Sequence, residues 1–85
     1  MLQPANEPVD LEAIFPARAS YPKPVGFRWA GRTYRVQEIH LVHERWEGTR
    51  RLLLYSLTAE GTLFRLRYDS GRARWYLDGV QMEEA

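Results

Sequence analysis

The sequence predicts an all-β domain built as an antiparallel meander of five or six strands. Apolar and polar residues alternate over residues 25–36 and 51–78, the period of a strand with one buried face. Three pairs that contain glycine separate alternating runs by the two residues of a tight hairpin turn: Ala30-Gly31, Glu60-Gly61 and Ser70-Gly71. A chain of 85 residues forms one domain with a small core.

The first quarter of the chain contains one predicted strand. Residues 1–8 carry two prolines and polar side chains without a period, and are predicted to be a flexible tail. Residues 9–15 alternate between apolar and acidic side chains and form the strand. Residues 16–24 contain three prolines, which cannot continue a ladder, so this segment is an exposed connection.

Residues 25–36 form a predicted hairpin with Phe27 opposite Tyr34. The phase of alternation changes after Val36, which predicts a β-bulge near Gln37-Glu38. Residues 38–46 fit either a strand or a short helix. The strand is favoured because a loop at residues 47–49 then aligns Leu41 with Tyr55 in the core.

Residues 51–78 form three strands whose registers follow from their turns. The first turn places Tyr55 opposite Leu66, and the second places Leu66 opposite Trp75. The predicted core residues are Val25, Phe27, Tyr34, Val36, Ile39, Leu41, Leu53, Tyr55, Leu57, Phe64, Leu66, Trp75 and Leu77. A strongly twisted sheet of this size is expected to curl into a partly open SH3-like or OB-like barrel over residues 9–80, with residues 81–85 as a second flexible tail.

Positive charge is concentrated in the middle of the chain. Residues 23–76 hold eleven of the twelve cations against five acids, and all but one of the twelve are arginine. The predicted register places Arg67 directly opposite Arg74 on the outer face, an arrangement that destabilises a sheet unless an anion lies between the two. Alternatively, the long side chains extend into water and cover the sheet with their stems. The residues predicted to contact nucleic acid are Arg51, Arg65, Arg67, Arg72, Arg74 and Tyr76.

A second predicted surface is apolar. Its residues lie on the outer face of the sheet in the strand interpretation, with one aromatic edge: Val42, Trp46, Leu52, Leu54 and Leu63. A monomer seldom exposes such a patch. Either the N-terminal strand and connection cover it, or another chain does, as in a homodimer.

Several classes of function are not supported by the sequence. It lacks cysteine, a glycine-rich phosphate loop and a nucleophile elbow, so we expect neither an enzyme nor a cofactor. His40 and His43 point to opposite faces of a strand and could share a metal only on a helix, so no metal is expected. With no apolar run of membrane-spanning length and no secretion signal, we expect a cytoplasmic protein without membrane contact.

The order of motifs resembles a family of small uncharacterised bacterial β-domains over roughly residues 7–80. An EPVDLEAI opening strand, a proline-rich link, FRWAGRTYRV and a closing RWYLDGV carry the resemblance. Its most specific part is F-x-W-x-G-R-x-Y-x-V, which comprises Phe27, Trp29, Gly31, Arg32, Tyr34 and Val36. Family members tend to have a double tryptophan where this chain has Trp46 alone. Similar domains occur C-terminal to proteins that resemble Y-family translesion polymerases, which implies an association with DNA repair.

Together these observations predict a non-catalytic β-module, associated with DNA repair, that contacts nucleic acid or another anionic partner through arginines and exposed aromatic residues, with single-stranded nucleic acid as the expected ligand. The alternative is a protein-interaction module or homodimer that uses the apolar outer patch.

Overall fold

The computed structural model describes residues 2–81, which form six antiparallel strands in a closed ring, each paired with its neighbour in the sequence. The strands are β1 (Leu2–Ile14), β2 (Lys23–Trp29), β3 (Arg32–Glu47), β4 (Arg50–Ala59), β5 (Thr62–Asp69) and β6 (Arg74–Gln81). The predicted all-β antiparallel meander is confirmed, and pairing of β1 with β6 closes it into a barrel. No helix that could cross a membrane occurs in the described part of the chain.

The first strand differs from the prediction because it begins at Leu2 rather than after a flexible tail. Its N-terminal part pairs with β6 up to Val9, and its C-terminal part pairs with β2 from Asp10 onward. Backbone hydrogen bonds to β6 need no apolar period in the side chains, which is why the sequence pattern did not indicate this segment. At the other end, Gln81 belongs to β6, and the rest of the predicted 81–85 tail lies outside the described residues.

The turns at Ala30-Gly31 and Glu60-Gly61 form as predicted. Both residues of each turn have positive φ, 52° and 74° in the first and 51° and 78° in the second, as a primed hairpin turn requires. They set the expected registers, with Phe27 opposite Tyr34 and Tyr55 opposite Leu66.

The β5–β6 turn has four residues, 70–73, instead of the predicted two. Asp69 is the reason. Asp69 is 4% exposed, and its carboxylate accepts hydrogen bonds from the backbone N–H groups of Gly71, at 3.0 Å, and Arg72, at 3.2 Å. A turn closed by an aspartate side chain is an alternative to the two-residue turn predicted at Ser70-Gly71, and it is the one that forms. The predicted register was therefore wrong by two residues, and Leu66 lies opposite Leu77 rather than Trp75.

The third strand contains the predicted irregularity between Val36 and Glu38, and a second one between Ile39 and Leu41. It is extended throughout, so the helix alternative for residues 38–46 is excluded. Ile39 still faces Leu57 across the ladder, but the second bulge places Val42 opposite Tyr55. The predictions for Leu41 and Val42 were therefore both wrong. Leu41 is 61% exposed, whereas Val42 packs against the core.

The core lies inside the barrel and consists of Phe27, Leu53, Tyr55, Leu57, Ala59, Phe64, Leu66, Trp75, Leu77 and Val80. At one end, Phe27 stacks on Tyr34 with ring centroids 5.3 Å apart, and the Trp29 ring meets the edge of Phe64 at 6.0 Å. The aromatic residues of the F-x-W-x-G-R-x-Y-x-V motif thus pack the end of the core.

Candidate nucleic-acid interface

The four-residue turn changes the charge pattern on the outer face of the sheet. Arg74 lies opposite the acidic Asp69, and Arg67 lies opposite Tyr76. The predicted pairing of Arg67 with Arg74, and of Arg65 with Tyr76, was therefore wrong. Because no like charges oppose each other at these positions, the repulsion that suggested an anionic partner is absent.

Arg67 binds within the chain. Its guanidinium donates to the side-chain oxygen of Asn6 at 2.9 Å and lies 3.4 Å from the carboxylate of Asp78. It also covers the ring of Tyr76, 4.5 Å from the centroid. Its side chain is 23% exposed. These contacts join β1, β5 and β6, so both Arg67 and the adjacent face of Tyr76 have structural partners.

Arg51 is also paired within the chain. Its Nε donates to Glu44 at 2.5 Å, and its Nη2 donates to the carbonyl oxygen of Ser20 at 3.0 Å. The hydrogen bond from Arg51 lowers the pKa of the Glu44 carboxyl below its usual value. Arg51 thus attaches the β1–β2 connection to the β3–β4 hairpin.

The other three predicted arginines are exposed. Arg72 lies 3.9 Å from the carboxylate of Asp69, with 62% of its side chain exposed. The side chains of Arg65 and Arg74 make no hydrogen bond or ion pair with any other residue of the described chain. These two cations are free to meet an anion without breaking an internal contact.

Arg74 lines a cleft of the described surface, which we term the β1 cleft. Its volume is about 490 Å³, and it lies where β1 changes partner from β6 to β2. It is lined by Pro8, Val9, Asp10, Leu11, Arg28, Trp29, Ala30, Gly31, Ala73, Arg74 and Trp75. The cleft thus has β1 at its centre and the ends of β2 and β6 on its two sides.

The charged residues of the β1 cleft come from three strands. Arg28 on β2 lies opposite Asp10 on β1, and Arg74 is the residue before Trp75, which lies opposite Val9. Arg28 is exposed and, like Arg74, makes no ion pair within residues 2–81. Two free guanidinium groups therefore border the β1 cleft on opposite sides of one acid.

Trp29 supplies an aromatic surface in the same place. Its ring is half-buried, and its Nε1–H donates to the carboxylate of Glu7 at 2.8 Å. This bond and the contact with Phe64 fix the orientation of the ring. Sequence reasoning did not select Arg28 or Trp29 for the interface, although Arg28 occupies an outward position of the β2 alternation that could have indicated it.

The predicted apolar outer patch is not a continuous exposed surface. Leu52 is 1% exposed and is therefore covered within the chain. Leu54 and Leu63 are half-buried, and only Trp46, at 58%, is well exposed. The exposed apolar residues instead include Ile14, Phe15 and Tyr21 at and beyond the end of β1, which the sequence pattern did not single out.

His40 has two polar partners. His40 bonds to the hydroxyl of Thr58 at 2.6 Å and lies 3.1 Å from the carboxylate of Glu38. Within residues 2–81, no three side chains of the metal-binding types form a cluster.

Comparison of the chain with protein-family models, with curated proteins and with solved structures gave no match. The resemblance to the bacterial β-domain family therefore stays a prediction.

Proposed function

We propose that this barrel is a non-catalytic module that binds single-stranded nucleic acid at the β1 cleft, in association with DNA repair in the cytoplasm. The observation that carries the proposal is the pair of exposed arginines, Arg28 and Arg74, which border the β1 cleft without internal partners. An arginine that is already paired would have to break an ion pair to bind phosphate, whereas these two would not.

The chemistry of the β1 cleft fits a strand with accessible bases. The guanidinium group of arginine donates two parallel hydrogen bonds to phosphate oxygens. The fixed ring of Trp29 offers a stacking surface, and base–aromatic stacking contributes roughly 1–3 kcal/mol per base. Asp10 would repel phosphate from the centre of the β1 cleft and can accept a hydrogen bond from a base amino group. Phosphates are therefore expected along the two sides and bases between them.

The test is a salt-varied titration of a fluorescent single-stranded oligonucleotide. The double substitution Arg28→Ala and Arg74→Ala should reduce the slope of log affinity against log salt by about 1.4, since each contact with a single strand contributes about 0.7. The melting temperature should stay unchanged. Arg18→Ala is the matched control, because Arg18 is also exposed and its side chain has no partner in the described chain, but it lies in the β1–β2 connection.

Two results would contradict the proposal. One is the absence of binding at low salt by protein whose circular dichroism shows a folded barrel. The other is an equal loss of slope per arginine in the Arg18→Ala control, which would mean that binding depends on overall charge and not on the β1 cleft.

A second candidate function, a protein-interaction module, is supported by the exposed apolar side chains at the end of β1 and on β3. Phe15 is 67% exposed and Leu41 is 61% exposed. These residues differ from the apolar outer patch that the sequence predicted.

A further inference from the structure

The third strand has an unpaired edge over much of its length. Residues 32–35 of β3 pair with β2, and residues 36–47 pair with β4 on the other side. Beyond Arg35, therefore, no strand among residues 2–81 pairs with the edge that faces away from β4. The β1–β2 connection makes no backbone hydrogen bond to this edge of β3. The backbone hydrogen bond of the connection is internal, from the N–H of Ala19 to the carbonyl oxygen of Pro16.

A channel runs along this edge, and we term it the β3 channel. It consists of two grooves of about 360 and 370 Å³ that share Lys23 and Ile39. One wall is β3 itself, from Val36 to Val42. The other wall is the β1–β2 connection and the start of β2, including Tyr21.

The edge of β3 lacks two common forms of protection. Exposed edges are often blocked by proline or lysine, because these residues disfavour pairing with another strand. Residues 32–47 contain neither. Both bulges lie within the β3 channel, between Val36 and Glu38 and between Ile39 and Leu41, and the ladder with β4 is regular from Leu41 to Glu47. The regular part of the edge therefore begins in the β3 channel and continues past it. In any such regular strand, alternate backbone groups point away from the paired neighbour.

We propose that the β3 channel binds an extended peptide segment of another protein, which adds as a strand to the edge of β3. In this mode main-chain hydrogen bonds provide affinity, and pockets for alternate side chains provide specificity. A second copy of the barrel fits less well, because its β3 would bring the paired β4 with it, and the β1–β2 connection lines the far side of the groove at Ile39–Val42. A single extended segment meets no such obstacle.

The walls define the chemistry of the peptide. Leu41 and Tyr21, which are 61% and 40% exposed, present apolar surface to the peptide, whereas Ile39 lines the groove but packs against the core. Lys23 is exposed, has no ion pair in the described chain and belongs to both grooves. The only acid in either wall, Glu38, is already 3.1 Å from His40. The β3 channel therefore favours a segment of alternating apolar residues with an acidic residue that meets Lys23.

The probe is a fluorescent ten-residue peptide of alternating valine and threonine with one central glutamate. Two matched peptides differ in a single respect: one has lysine in place of glutamate, and the other has methylated amides on alternate backbone nitrogens. Titration of the intact protein should show that the glutamate peptide binds. The methylated peptide should bind at least about tenfold more weakly, because it cannot form several of the main-chain hydrogen bonds. Deuterium exchange should show that bound peptide protects those amides of residues 36–47 that point away from β4.

A charge exchange tests the role of Lys23. Lys23→Glu should lower the affinity for the glutamate peptide by about two- to fivefold and raise the affinity for the lysine peptide by a similar factor, as expected for an exposed ion pair. Equal binding of the methylated peptide, or protection confined to residues outside the two walls of the β3 channel, would overturn the proposal. So would absence of binding, or sedimentation of the free protein as a dimer with its β3 amides already protected. None of these results bears on oligonucleotide binding, so this inference and the proposed nucleic-acid function fail separately.

Discussion

Replacement of Arg67 by alanine separates the observed arrangement of the sheet from the one that the sequence pattern predicted. An outward arginine opposite another arginine would be lost at no cost, or with a small gain in stability. In the structure Arg67 instead contacts Asn6 on β1 and both Asp78 and Tyr76 on β6. We therefore expect Arg67→Ala to destabilise the barrel.

The contacts of Arg67 set the size of the effect. A hydrogen bond that involves a charged group contributes roughly 1.5–3 kcal/mol. The ion pair with Asp78 contributes about 0.5 kcal/mol, because the two side chains are 23% and 32% exposed. The ring contact adds about 0.5–1 kcal/mol. Against these, the buried Nε has no hydrogen-bond partner, and ordering the long side chain costs about 1.5–2 kcal/mol. The difference between these contributions is about 0.5–3 kcal/mol before the unpaired Nε is counted, so the expected net loss is about 1 kcal/mol.

Urea unfolding followed by tryptophan fluorescence measures this loss. Arg65→Ala is the matched control, because Arg65 lies two residues earlier on the same face without a partner and should change stability by less than about 0.5 kcal/mol. A double-mutant cycle with Asp78→Asn should give a coupling free energy of about 0.5 kcal/mol. If Arg67→Ala and Arg65→Ala have the same unfolding midpoint, the contacts described for Arg67 do not stabilise the protein.

Two further predictions concern the core. Tyr55→Phe removes the hydroxyl that donates to the carbonyl of Pro22, and should lower the free energy of unfolding at pH 7 by about 1 kcal/mol. Burial raises the pKa of Tyr55 above its usual 10.0, so the stability that the neutral hydroxyl contributes is intact below about pH 10 and is lost as the pH rises further. Denaturant unfolding should therefore show a smaller loss of stability at alkaline pH in Tyr55→Phe than in the unsubstituted protein. Equal losses in the two proteins would contradict this prediction. Leu57→Ala should lower the free energy of unfolding by about 2–5 kcal/mol and Leu41→Ala by less than about 0.5 kcal/mol, because Leu57 is fully buried and Leu41 is 61% exposed. Similar losses in the two variants would argue against the second bulge of β3.

The candidate site could be predicted only in part, because it depends on contacts between distant segments. The sequence identified an arginine-rich outer face, but a shift of two residues at one turn determines which arginine meets an acid. Arg67 was selected and is paired within the chain, whereas Arg28 was not selected and borders the β1 cleft. Asn6, which holds Arg67, is 61 residues away in the sequence and lies in a segment predicted to be a tail.

The sequence by itself determined the class of fold, the two-residue turns at Ala30-Gly31 and Glu60-Gly61, and most of the core. These features are local: alternation places side chains on one face, and a residue pair that accepts positive φ sets the register of its own hairpin. Only the tertiary structure decided how the barrel closes, where the β5–β6 turn ends and which face Leu41 occupies. Closure depends on backbone hydrogen bonds between β1 and β6, which leave no period in the side chains. The longer turn depends on the carboxylate of Asp69, and the second bulge shifts the alternation by one residue without a glycine or proline to mark it.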